Sequence, residues 1–174
     1  MRRAISGVVL LSVLVAPLVM TAACGKKQPP VVQPAPPPPP PAPKPPTEQE
    51  LFDRLSLADL VAQKPFDDVF FDYDKSDLSD AARASLQKNA DFLKKWGSVR
   101  ITIEGHADKR GTAEYNLALG ERRANAARDY LGSLGVDLAH VAMVSKGEEQ
   151  PVCTEETEAC FAQNRRAHVL ITAK

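Results

Sequence analysis

Apolar and polar residues alternate through Val99, Ile101 and Ile103, the two-residue period of a strand with one buried face. Glycines at 105 and 111 bracket the next segment, a loop signal that puts Asp108 just past the strand end. Leu117, Gly120, Ala124, Ala127, Leu131 and Leu134 then recur at steps of three and four, predicting a helix whose small residues let it approach a sheet closely. Asn116, Leu119 and Arg123 form a second row at the same spacing, starting beside the Asp108 loop, so Arg123 is expected to converge on Asp108. Similar patterns predict a strand over 68–73 with Val69 and Phe71 on one face, and a helix over 79–96 with Ser79 as its N-cap. A helix over 114–134 and strands over 99–105, 141–146 and 167–172 complete the set. Upstream, Leu51, Phe52, Leu55 and Leu60 fall at helical steps, an amphipathic lead-in (47–64) whose default role is to pack on the domain at 65–174. Alternating elements of this kind predict an α/β (α+β) sandwich, although periodicity does not order the strands.

The first residues follow a different pattern. Arg2 and Arg3 precede an apolar run from Ala4 to Met20, then Thr21, Ala22 and Ala23 lead into Cys24. That arrangement resembles a bacterial lipoprotein signal over 1–23, with a small residue before the cut and a thiol at Cys24 to carry lipid. Ordinary signal cleavage and a retained membrane span are the alternatives, and Pro17 with its small neighbours favours cleavage. Several acyl chains on one residue would hold the protein firmly, and Gly25 in place of aspartate favours the outer membrane. The next stretch, KKQPPVVQPAPPPPPPAPKPP, completes a spacer over 24–46 that suits a stiff polyproline helix. At about 3.1 Å per residue it reaches roughly 65 Å, enough to stand a domain off from a membrane.

Composition mostly excludes. With 22 basic and 22 acidic residues no bulk field recommends nucleic acid, and Lys94, Lys95, Arg122 and Arg123 read as charges on solvated helix faces. His106, His140 and His168 stand apart without a zinc, serine or thiol hydrolase motif, so the chain reads as a non-enzyme without a cofactor. His106 and Asp108 give only a two-ligand hint of a metal. Asp72, Asp74 and Ser76 imitate a calcium loop, but Asp77 replaces its glycine and Arg83 its final glutamate. Cys153 and Cys160 enclose an acidic loop; in an exported protein they suggest a disulfide contributing roughly 2 to 3 kcal/mol by loop entropy. Zinc is the alternative there and needs two more ligands, which His168 alone cannot supply.

One carboxylate and one guanidinium fork at a single site suit a ligand carrying an ammonium and a carboxylate on one carbon. The competing reading has Asp108 accepting loop amides while Arg123 pairs with Glu114 or Glu121 at the surface.

The stretch Gly105-His106-Ala107-Asp108, followed by Asn116, Leu119, Gly120, Arg123 and Ala124, resembles the peptidoglycan-binding motif of the OmpA C-terminal family. The wordings EGHADKRGT, YNLALGERRANA, FFDYDKSDL and AQNRRAHVLI resemble its peptidoglycan-binding lipoprotein subgroup more than its porins or motor proteins, over residues 66–174. The resemblance implies a βαβαββ domain with a mixed sheet and helices on one face. It implies that Asp108 holds the ammonium of diaminopimelate in the peptidoglycan stem and Arg123 its carboxylate. Phe71, Asp72 and Tyr73 would line the pocket, with Asn116 and Leu119 supporting it, though Phe71 stands equally well as a core residue. Membership of the Tol-Pal system is further implied, with TolB competing with the wall, TolA reaching the domain, and a role in outer-membrane integrity and constriction at division. The alternative is a wall-anchoring module of another envelope assembly, such as a motor or secretion machine.

Overall fold

The structure, a computed structural model, describes residues 44–174. Cys24, the 1–23 signal and all of the 24–46 spacer except its last three residues lie outside the described residues.

The lead-in forms two helices where the apolar spacing predicts one: α1 (Glu48–Arg54) and α2 (Leu57–Ala62). The break is local chemistry. Thr47 with Glu50 and Ser56 with Asp59 each form a reciprocal capping box, so the second box starts a new helix at the point where the first would continue. Phe52 of α1 stacks on Trp96 with ring centroids 4.0 Å apart, Leu60 of α2 is buried, and the Lys174 ammonium donates to the Phe52 carbonyl. The lead-in and the C-terminal residue thus belong to one packed unit spanning Lys44–Lys174.

Four strands make the sheet: β1 (Val69–Phe70), β2 (Arg100–His106), β3 (Val141–Gly147) and β4 (Arg166–Ala173), in the order β1-β4-β2-β3. β2 runs parallel to β3 and antiparallel to β4, which is antiparallel to β1, so the sheet is mixed. The long helices α3 (Asp80–Lys95) and α4 (Ala113–Ser133) lie between strands in the chain, and their apolar stripes share one core with Ile101 and Ile103. Ser79 caps α3 and Thr112 caps α4, each accepting from the third amide along. Two elements were not foreseen: a 3-10 turn at Leu138–His140 and helix α5 (Glu158–Asn164), which carries the second cysteine. Cys153 and Cys160 are joined, with Cα atoms 5.3 Å apart.

Two readings are corrected. The expected strand over 68–73 stops at Phe70, because Asp72 onward turns away and Asp74 adopts a left-handed conformation at φ 55°. Leu117, placed in the core stripe by its spacing, is 52% exposed, while the second row of Asn116, Leu119 and Arg123 is buried. The inner face of α4 therefore follows the polar row at its N-terminal end and the apolar row thereafter.

The outer face of the sheet carries Thr102, Glu104 and His106 of β2 beside Leu170, His168 and Arg166 of β4. His106 is buried there with neither ring nitrogen hydrogen-bonded to any described residue. Burial, helped by the nearby Arg166, His168 and Lys146 charges and opposed by Asp68, pulls its pKa down to about 4. An unfolded histidine titrates near 6.5, so the folded chain binds fewer protons between the two values. Stability from His106 is full above about 6.5, is lost progressively as pH falls below that value, and is gone once pH has fallen through about 4. His168 acts oppositely: its hydrogen bond to Asp68 raises its pKa, so its contribution is present at low pH and lost as pH rises. Urea unfolding at pH 7.5 and 4.5 should show that His106→Leu removes roughly 2 to 3 kcal/mol of the wild-type loss between them. An unchanged loss would mean that His106 does not couple to folding.

Candidate functional site

The site is built where β2 ends. Its ladder with β3 shifts by one residue between Gly105 and His106, leaving Lys146 without a partner and turning the β2 end; the Ala107 amide then donates to the Gly147 carbonyl. Asp108 follows, only 4% exposed. Behind it α4 approaches the sheet so closely that Gly120 faces Gly105 backbone to backbone.

Arg123, one turn along α4, is 0% exposed. It does not pair with Glu114 or Glu121, and it does not lie on a solvated face. Its Nε donates to the Lys75 carbonyl at 2.9 Å, Nη1 to the His106 carbonyl at 2.8 Å and Nη2 to the Asp72 carbonyl at 3.1 Å. The guanidinium thus ties the loop after β1 to the end of β2, and its carbon lies 5.3 Å from the Phe71 ring centroid. Burial pulls its pKa down to about 10, still well above neutrality, so the charge is retained.

Asp108 has four donors. Oδ1 accepts the Arg110 amide at 3.1 Å and Arg110 Nε at 3.0 Å; Oδ2 accepts Arg110 Nη2 and, at 3.3 Å, Arg165 Nη1. Burial alone would raise its pKa, but these hydrogen bonds outweigh it and hold the carboxyl below the usual carboxylate range. Glu158 of α5 closes a ring of charges, 2.8 Å from Arg165 Nη1 and 3.1 Å from Arg110 Nη1. Arg165 is buried and also donates to the Phe71 carbonyl.

Above this ring lies a cavity of about 120 Å³ between the loop after β1 and the start of α4. Asp74, Asp108, Arg110 and Arg123 supply its charges; Tyr73, Asn116 and Leu119 supply much of the rest of its wall. Asp74 and Tyr115 line the rim and hydrogen-bond to each other. Asn116 is buried and donates to the Arg110 carbonyl and to Glu148. The predicted residues separate here. Asp108, Arg123, Asn116, Leu119 and Tyr73 meet at the cavity. Phe71 belongs to the core, and Asp72 contributes its carbonyl while its side chain faces solvent toward Lys75. Arg110, Arg165, Glu158 and Tyr115 are additional members. Arg110 was findable as the cation two residues past Asp108, whereas Arg165 and Glu158 arrive from about fifty residues away.

Among the described residues no group of three His, Cys, Asp or Glu side chains is placed to hold a metal. What the cavity offers is one buried carboxylate already paired with guanidinium groups in its wall, charges of both signs beside a small space, a complement for a zwitterion.

Residues 70–165 match the OmpA family. The chain belongs to that family. A protein of Brucella melitensis named peptidoglycan-associated lipoprotein is 50% identical over 101 residues, 58% of this chain and 60% of that one. The corresponding Pseudomonas aeruginosa protein is 46% identical over 114 residues, 66% of this chain and 67% of its own length. The crystal structure of the peptidoglycan-associated lipoprotein from Burkholderia pseudomallei superposes with a TM-score of 0.59 at 46% identity, covering 60% of this chain and 89% of that one. The chain spans about 60% of the length of the Brucella relative. The fold is thus the α/β domain of the OmpA family, with a mixed sheet and its two long helices against one face.

Proposed function

We propose that this OmpA family member is a non-catalytic outer-membrane lipoprotein, lipid-anchored at Cys24, whose periplasmic domain binds peptidoglycan without a covalent link. The ligand is the diaminopimelate of uncrosslinked stem peptides: its ammonium faces Asp108, and its carboxylate faces the guanidinium groups of the cavity, Arg123 among them. The observation that carries the reading is the buried, ionised Asp108 in the wall of a small cavity that the guanidinium groups of Arg110 and Arg123 also line, with Asp74 at its rim. Likeness to proteins named peptidoglycan-associated lipoproteins supports the wall as the source of that ligand. It also supports extension to the Tol-Pal system, with TolB competing for the domain and TolA reaching it, in envelope integrity and constriction at division.

The test is calorimetric titration of the full chain, in detergent, with a stem tripeptide ending in diaminopimelate. Wild type should bind, and Asp108→Asn, which keeps the shape of the carboxyl group but not its charge, should bind roughly 10- to 100-fold more weakly, the scale of a hydrogen bond to a charged group. Co-sedimentation with purified sacculi should follow the same order. Absence of binding by wild type, or equal binding by a folded Asp108→Asn chain, would remove the site assignment.

A further inference from the structure

Asp108 is already saturated. A carboxylate has about four acceptor positions, and here all four are taken: two donors on each oxygen, three of the four from Arg110. An incoming ammonium can therefore bind Asp108 only by displacing a donor. The Arg110 amide is fixed by the backbone. Arg165 is buried and tied to both the Phe71 carbonyl and Glu158. The Arg110 side chain alone is partly open, 32% exposed, lying between the Tyr73 ring at 4.0 Å and the Phe161 ring at 4.5 Å. It is the donor that can leave.

On leaving Asp108 the Arg110 guanidinium loses its bidentate counter-ion and keeps only the half-exposed Glu158. A plain amine would then add a positive charge to a site in which Arg110, Arg165 and the buried Arg123 are matched by Asp108, Glu158 and the rim carboxylate Asp74, and it would leave the released Arg110 fork without a partner of its own. A ligand whose ammonium sits beside a carboxylate adds none: the ammonium takes Asp108 and the carboxylate takes the fork that Asp108 released. One ion pair becomes two, and the net charge of the site is unchanged. Arg123 faces the carboxylate with at most the two N–H groups left over from its three carbonyl bonds, so the fork free to turn is that of Arg110.

Resting on the wall-binding reading above, we propose that the zwitterionic end of the ligand inserts into the Asp108–Arg110 ion pair, and that Arg110 is the residue that demands a carboxylate beside the ammonium. In the free protein Arg110 occupies the ammonium position; in the complex it turns, still between Tyr73 and Phe161, to grip the ligand carboxylate. Arg110 is thus a specificity-determining residue.

The experiment compares two stem tripeptides that differ only at the third residue, diaminopimelate or lysine, the second having the same amine without the carboxylate. The full chain should prefer the diaminopimelate peptide by about 10-fold or more, the scale of a bidentate charged pair. In Arg110→Ala and in Arg110→Gln, each checked for an unchanged thermal melt, that ratio should fall to within about 3-fold, through loss of diaminopimelate affinity with lysine affinity equal or improved. Should Arg110→Ala fail to fold, Arg110→Gln alone decides. A ratio that survives the substitution would overturn the proposal, and so would equal loss for both peptides, which would leave Arg110 a support of the loop. Failure of wild type to bind either peptide would instead remove the wall-binding reading itself.

Discussion

Gly105→Ala should cost the domain more than about 3 kcal/mol in urea unfolding and abolish ligand binding with it. A methyl group at Gly105 would lie 1.8 Å from the Gly120 carbonyl oxygen and 2.6 Å from its carbon. Both are backbone atoms of a helix, so no side-chain rotation relieves the overlap; α4 has to lift away from β2. The reverse substitution meets the same obstacle: a methyl group at Gly120 would lie 2.4 Å from Ser145 Oγ and 2.6 Å from the Gly105 oxygen. Lifting α4 also moves Arg123, which reaches the His106 carbonyl from one turn beyond Gly120. The loop after β1 loses its anchor at the same moment, so stability and site should fail together. Gly97→Ala is the matched control, because nothing lies within 4 Å of a methyl group there; it should change stability by less than about 0.5 kcal/mol. A Gly105→Ala chain that unfolds within about 1 kcal/mol of wild type would show that the close approach of helix and sheet is not what sets the geometry of the cavity.

That approach was readable in part. The small residues on α4 announced a helix lying close to something, and the alternation through Ile101 and Ile103 announced a strand, but only the family resemblance joined them and ordered the sheet. Where local periodicity ruled, at α3, α4 and β2, the expected bounds differ from the observed ones by one residue at most. It failed at Leu117 and Arg123 for one reason. Hydropathy assigns an apolar residue inward and a charged one outward, whereas the start of α4 faces a polar cavity closed by a loop whose carbonyls come from Asp72 and Lys75, about fifty residues earlier. A side chain buried by distant backbone acceptors leaves no mark in its neighbours. The same holds for the charge ring: Asp108 was found because a motif names it, while Arg165 and Glu158 become its neighbours only after α5 and β4 are in place. Arg110 differs, since a cation two residues beyond a buried carboxylate can fold back on it without any tertiary help.

Arg123→Met should destabilise the chain by about 3 to 5 kcal/mol, although methionine fills most of the same volume. The guanidinium is buried without a carboxylate partner, and its charge is met by three carbonyl groups and the face of Phe71. Methionine removes the cost of burying a charge but leaves the buried His106 carbonyl and the part-buried Lys75 and Asp72 carbonyls without the donors that hold the loop to β2. Arg123→Lys keeps the charge as a single point and cannot reach three divergent acceptors, so it should fall between methionine and wild type. Urea midpoints at neutral pH rank the three chains, and a Met variant within about 1 kcal/mol of wild type would refute the scaffold role. The ranking also governs how binding losses are read. Loss of ligand in an Arg123 variant mixes a missing contact with a collapsed loop, whereas Asp108→Asn and Arg110→Gln alter the charges of the cavity and leave the three carbonyl anchors in place. Recognition therefore has to be separated from scaffolding on the loop side of the cavity, and Arg123 reports mainly on the scaffold.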